Sequence, residues 1–587
     1  MKSFFQSLLG SITALVLFTG GLFVFLLIMA SCVGPKPPKA PNKAVLVFDL
    51  NRNLPDKTSG NDFDVIDAMM GQLDMKQYPS LPSLINALDR ASNDPKISGL
   101  FITGEIKSAG WAALLELKQA LERFKEKKPV ISYNQSWDKW ELYLCAGLGK
   151  VILNPLGVAQ VIAPSADGFF LGKAFEKYGV QVQVTRVGKY KSAVEPWISD
   201  KMSPENREQI KGLLDEIWNG YKTGIAKGRG LEPDVIQYLA DAKGMLSAAD
   251  AIEVKLVDQL AHYDEVLLEL KKMAGKDADS KDFPQIDIED YIKIPASAQK
   301  GKNRIAVVVA EGEIVDGEGG QRQIGGDSFA RELRALRMDK NVKAVVMRVN
   351  SPGGSALASD VIQREIVALK QVKPIVVSMG NVAASGGYLI STHASRIFAE
   401  PCTITGSIGV FGLIPNIKKL AENHGITTDS VQMAEISPMI GWRPLSQKEL
   451  NMIQGMVDSV YDSFIERVSD GRKLELDVVR EIAQGRVWAG ARALEIGLVD
   501  EMGGLDAAIK KAAELAKIKD NYRVDAPDAA KTPFEQLMKV FGPEKRKLVK
   551  AGHFEAVVSE LDSTLRALRS MNDPNGVYAL APAIVIK

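Results

Sequence analysis

Lys150-Val151-Ile152-Leu153-Asn154-Pro155 recurs 246 residues later as Arg396-Ile397-Phe398-Ala399-Glu400-Pro401. Tyr178-Gly179-Val180 and His424-Gly425-Ile426 stand at the same offset of 246. Further upstream, the apolar runs Ile97–Ile102 and Val342–Met347 are each followed by a helix-like stretch. Then comes Pro129-Val130-Ile131-Ser132 in one case and Pro374-Ile375-Val376-Val377 in the other, offset by 245. Ala251-Ile252-Glu253-Val254-Lys255-Leu256-Val257-Asp258 and Ala493-Leu494-Glu495-Ile496-Gly497-Leu498-Val499-Asp500 close the two copies alike. Short β-branched runs alternating with amphipathic stretches predict α/β units with mostly parallel strands. A period of this length is a duplicated domain rather than a solenoid repeat. Pro204–Lys227 and Gln447–Arg472 read as long helices packing back on the cores.

The repeat sets the predicted boundaries. Residues 44–274 form a first unit, 275–300 a polar joint, 301–515 a second unit and 516–587 a C-terminal extension. Residues 35–43 are a Pro/Lys-rich linker, stiff and extended. Ahead of it, no charge interrupts Ser3 to Pro35. Leu8–Val33 is long enough to cross a bilayer of about 30 Å, and longer than a cleaved signal core. Residues 1–34 are therefore expected to be one retained transmembrane helix. Lysines flank it on both sides, so charge bias does not orient it. Met29-Ala30-Ser31-Cys32 loosely resembles a lipoprotein processing box.

Composition narrows the chemistry. A net charge of +1 gives no reason to expect a nucleic-acid partner. The basic run Lys545, Arg546, Lys547, Lys550 reads as a solvated helix face. Cys32, Cys145 and Cys402, with the scattered His262, His393, His424 and His553, form no metal spacing and no disulfide framework. Neither a metal nor a cofactor is expected.

The two copies differ at chemically telling positions. Lys191, in Gly188-Lys189-Tyr190-Lys191-Ser192-Ala193, stands where the second copy has Ser437. Ser407, in Thr405-Gly406-Ser407-Ile408-Gly409, stands where the first copy has Val161. Asn350-Ser351-Pro352-Gly353-Gly354-Ser355 follows a strand, and its glycines can turn backbone N–H groups toward an oxyanion. The first copy has lost them, with Glu105-Ile106-Lys107-Ser108-Ala109-Gly110 in their place. Ser385, in Ala384-Ser385-Gly386-Gly387-Tyr388, is a second possible nucleophile. A lysine acts as a base only when uncharged, and burial lowers its pKa by the required amount. Lys189 competes with Lys191 for that role. One active site assembled from two halves follows, with the joint at 275–300 expected to bring Lys191 beside Ser407.

Taken in order, Tyr190–Pro196, Asn350–Ser355, Ala384–Tyr388 and Thr405–Gly412 resemble the long, duplicated signal peptide peptidase A type of the S49 serine peptidase family. The resemblance implies a Clp/crotonase-like fold of ββα units, with Ser407 as nucleophile and Lys191 as general base. Gly353, Gly354 and Ile408 are oxyanion candidates. The family also orients its lysine with a side-chain hydroxyl; Ser430 is near enough in sequence to be considered, but the local pattern departs from the family and Ser430 stays outside the catalytic set. It further implies a membrane-tethered homotetramer at a bacterial inner membrane, catalytic units on the periplasmic side. The expected substrates are apolar signal peptide remnants. Three alternatives stand beside it: a Clp-like peptidase using Ser385 with His393 or His424, a crotonase-like acyl-CoA enzyme, and a non-catalytic membrane scaffold.

Overall fold

The computed structural model describes residues 18, 38–58, 78–295, 301–320, 322–436, 441–519, 521–525, 573, 577–582 and 585–586. The expected membrane anchor, apart from Phe18, lies outside the described residues, as do Cys32, Ser437 and the basic run at 545–550. Among the described residues no helix is long and apolar enough to cross a membrane.

Each copy of the repeat builds a parallel sheet. In the first, the strand order is Gln285–Asp287, Ala44–Asp49, Ile97–Thr103, Val130–Asn134, Lys150–Leu153 and Gln259–Leu260. Every neighbouring pair is parallel. Parallel strands are covered on both faces, which is why the central segments read as largely apolar runs. Leu46, Leu100 and Val151 face helices Leu81–Asn93 and Trp111–Lys125, while Val45, Phe101 and Ile152 face Tyr263–Met273. The second sheet repeats the plan with Asn303–Glu311, Val342–Ser351, Ile375–Ala384 and Arg396–Ala399 at its centre. Helix Ala356–Lys370 lies on one face and Leu505–Leu515 on the other.

A third sheet belongs to neither copy alone. Its order is Gln323–Gly325, Glu313–Val315, Gly353–Ser355, Val577–Leu580, Val410–Asn416 and Gln181–Val187. The last of these, the lysine strand, comes from the first copy. It pairs antiparallel with Val410–Asn416, the serine strand, over seven residues from Val187↔Val410 to Gln181↔Asn416. This direct backbone pairing, rather than the joint at 275–300, joins the two halves of the site. Within the joint, Gln285–Asp287 is an edge strand of the first sheet, and the buried Tyr291 donates to Asp94 at 3.0 Å.

The long helices lock the halves further. Ser203 and Ser446 cap Pro204–Arg229 and Gln447–Arg472. Leu213 of the first helix packs against Val487 and Ala489 of the second unit. Gln447–Arg472 lies across both the lysine strand and the serine strand. A second seam is polar: Arg348, fully buried, pairs with Asp56 at 2.8 Å and Glu116 at 2.6 Å, both from the first unit. The two carboxylates hold the guanidinium charged despite its burial. Burial pushes the Glu116 carboxyl above its usual range, and Arg348 opposes that shift.

Candidate active site

The antiparallel register explains how two residues 216 apart in sequence meet. The lysine strand ends at Val187, opposite Val410 where the serine strand begins. Lys191 lies four residues past the one, and Ser407 three residues before the other. Between Val187 and Lys191 the chain reverses at Gly188, φ 101°, where a Cβ would collide with the backbone of Gln484. Only glycine accommodates both constraints. Tyr190 N–H then donates to Gln484 at 3.0 Å, which seats the turn on the second unit.

Lys191 enters a slot lined with glycine. A Cβ on Gly485 would stand 2.6 Å from that of Lys191, and one on Gly409 would stand 3.2 Å from its Cδ. The side chain is fully buried. Its Nζ lies 2.8 Å from Ser385 Oγ, 3.0 Å from the Ser407 carbonyl oxygen and 3.1 Å from Ser407 Oγ. Burial drives the amine well below the usual lysine range. Desolvation penalises the charged form, and no carboxylate among the described residues opposes it.

Both serines occupy unusual backbone. Ser407, φ 50°, follows Gly406 in the turn between Ile404–Gly406 and the serine strand, and its N–H donates to Arg486 at 2.7 Å. Ser385, φ 54° and ψ −115°, sits where Ile375–Ala384 turns into the short helix Gly386–Leu389. Its N–H donates to the Gly406 carbonyl at 2.8 Å, which ties the two serine turns together. Left-handed conformations at non-glycine residues cost roughly 1–3 kcal/mol each and persist only when the surroundings impose them.

The other sequence-predicted residues fall as follows. Gly353, φ 99°, and Gly354, φ 155°, form the strand Gly353–Ser355 beside Ser385. A Cβ on Gly353 would lie 2.6 Å from the Gly386 nitrogen, so the glycine pair faces the start of that helix. The Gly353 N–H donates to Ser351 Oγ at 3.1 Å. Ile408 is buried directly after Ser407, and its carbonyl accepts from Gly485 at 2.8 Å. Lys189 is exposed, with its ammonium 5.2 Å from the Tyr190 ring, and takes no part in the cluster. Ser430 is exposed and bonded to Asp429. The contact sought from it is made instead by Ser385, which sequence reasoning weighed only as a rival nucleophile. His393 is engaged by Asp470, Gln363 and Thr392, and His424 by the Leu420 carbonyl, so neither partners Ser385. In the first unit, Val161 is buried apolar side chain where Ser407 stands in the second.

Residues 122–277 and 367–519, one segment in each unit, match the description Peptidase family S49. Protease 4 of Haemophilus influenzae is 35% identical over 515 residues, covering 84% of this chain and 84% of that one. Protease 4 of Salmonella typhi is 34% identical over 92% of this chain and 90% of its own. A putative signal peptide peptidase SppA of Enterococcus faecium is 36% identical over 34% of this chain and 59% of its own. Among solved structures, ClpP1 from Listeria monocytogenes aligns with 34% of this chain and 94% of its own, at 19% identity and a TM-score of 0.22. With both segments matched and two relatives more than a third identical over most of the chain, this chain belongs to peptidase family S49 and is a serine peptidase.

Proposed function

We propose that the chain is a membrane-anchored endopeptidase working by a Ser407–Lys191 dyad on apolar signal peptide remnants. One observation carries the dyad: a buried lysine with no carboxylate partner among the described residues lies 3.1 Å from a serine hydroxyl. An uncharged amine has two N–H donors and one lone pair, and Lys191 has three neighbours. The Ser407 carbonyl can only accept, so it takes one N–H. Ser385 Oγ has a second acceptor for its own proton, the Gly409 carbonyl at 3.5 Å, and so is free to accept the other N–H. The lone pair is left for the Ser407 hydroxyl. This distribution favours Ser407 over Ser385 as nucleophile.

Lys191 takes the Ser407 proton as Oγ attacks a peptide carbonyl. Backbone N–H groups of Gly353, Gly354 and Ile408 are the candidates to hold the oxyanion. The resulting Lys191 ammonium hands its proton to the leaving amine, which departs as the acyl-enzyme forms. Lys191, uncharged again, then draws a proton from a water that attacks the ester carbonyl, and gives it to Ser407 Oγ as the acyl–Oγ bond breaks and the acid leaves. The uncharged stretch Ser3–Pro35 supports a membrane anchor, and the family resemblance supports a bacterial inner membrane with the catalytic units on the periplasmic side. The family resemblance supports a homotetramer. The Enterococcus relative's name supports the substrate class.

The test is acylation by a serine-reactive phosphonate, with the modified residue mapped, alongside peptide hydrolysis. Label on Ser407, and activity lowered on the order of 10⁴-fold or more in Ser407→Ala and Lys191→Ala, is the expected result. Label on Ser385, with activity retained in Ser407→Ala, sinks the assignment.

A further inference from the structure

The third sheet contains a strand that the duplication does not explain. Val577–Leu580, from the C-terminal extension, lies between the glycine strand Gly353–Ser355 and the serine strand. It runs antiparallel to both. Gly353 faces Leu580, Gly354 faces Ala579 and Ser355 faces Tyr578 on one side. Phe411 faces Tyr578 and Gly412 faces Val577 on the other. Without this segment the two strands would face each other across a gap one strand wide. One end of that gap lies against Gly353 and Gly386, the residue after Ser385, and its far wall is Phe411, four residues past Ser407.

The fit is detailed. Val577, Tyr578, Ala579, Leu580 and Ala581 are all buried, and Ala581 N–H donates to the Pro352 carbonyl at 2.7 Å. Side chains alternate as a strand requires. Tyr578 and Leu580 enter an apolar pocket with Val194, Trp197, Phe411 and Leu413, the Tyr578 and Phe411 rings 6.0 Å apart. Val577 and Ala579 turn to the core of the second unit. The Ala579 carbonyl oxygen sits in the space that a Cβ would fill at Gly353, and 3.1 Å from one built on Gly386. It therefore occupies the corner where the glycine strand meets the residue after Ser385. Upstream, Asp573 accepts from Ser355 Oγ at 2.7 Å and from Leu357 N–H at 3.2 Å, mooring the segment to the start of helix Ala356–Lys370.

We propose that residues 577–581 are a built-in occupant of the peptide-binding slot, a strap that substrate must displace, and a template for what the slot accepts. It rests on the peptidase reading above. The template is an uncharged extended segment with large apolar side chains two residues apart and a small residue between them. Strand addition by backbone pairing, with alternate side chains in pockets, is a general mode of peptide recognition.

Two full-length variants test it. In Phe411→Cys/Tyr578→Cys the new thiols face each other across the pair and can lock the strap in place. Peptide hydrolysis at least about tenfold lower in the oxidised form than in the same protein reduced is expected. Equal activities in a sample shown to carry the bond overturn the proposal. Tyr578→Ala loosens the strap instead, and KM for an apolar peptide should fall several-fold with kcat held. A strand with a purely structural role gives the opposite sign, with activity lost along with folded protein, and that result also overturns it. Mapping the phosphonate label in the reduced double variant keeps the two readings apart. Label on Ser407 upholds the dyad whatever the strap does, and a strap effect with label elsewhere removes the dyad alone.

Discussion

Lys191 Nζ has three oxygen neighbours, and their division of labour has a measurable consequence. Only the uncharged amine can take a proton, and burial has moved its pKa well below the usual lysine range. With Lys191 as the proposed base, activity should be present above that lowered pKa and lost as pH falls through it, and kcat against pH should show one acidic limb of unit slope. Ser385 supplies one of the three oxygens around Nζ. An ammonium has three N–H groups to satisfy and an amine two, so losing that oxygen disfavours the charged form more. Ser385→Ala should lower kcat roughly tenfold to a hundredfold and move the acidic limb to lower pH. An unmoved limb would mean that Ser385 serves packing alone.

The lysine strand, its glycine turn and the serine strand form one positioning device. Gly485, φ 75°, leaves room for the Lys191 backbone, and any Cβ there would press on Lys191 Cβ at 2.6 Å. Gly485→Ala should cut kcat on the order of 10²-fold with little change in KM, because about 1 Å of displacement of a reacting group costs that much. Steady-state kinetics on a variant of unchanged Tm reads this directly. These pairings also mark how far the sequence can be read. The runs at Ala44–Asp49, Ile97–Thr103, Val342–Ser351 and Ile375–Ala384 announce their strands because both faces are covered and most of their residues are apolar. The complementary losses at Val161 and Ser437 point to Lys191 and Ser407 without any coordinates. The contact of Ser385 with the amine is not legible, because a serine among glycines beside a strand has an ordinary packing role as well. Nor is the strap, since Val577–Leu580 is too short to be told from any other apolar run and its partners lie more than 160 residues away.

The two units meet through strand pairing on one side and through Arg348 on the other. Arg348→Met would leave Asp56 and Glu116 buried against each other without their cation, at a cost of about 3–5 kcal/mol. Calorimetric Tm should fall accordingly. The unpaired carboxyls would then hold protons more tightly folded than unfolded, so the deficit relative to wild type should shrink as pH is lowered. A deficit constant with pH would place the cost in lost packing instead.

The proposed nucleophile and base are encoded 216 residues apart, with the base first. At about 5–20 residues per second, a ribosome takes about 10–40 s to travel from one codon to the other. Throughout that interval the emerging polypeptide is chemically inert, and it stays so until the serine strand has found its partner. On the proposed assignment, the peptidase gains from this a delay written into its own reading order.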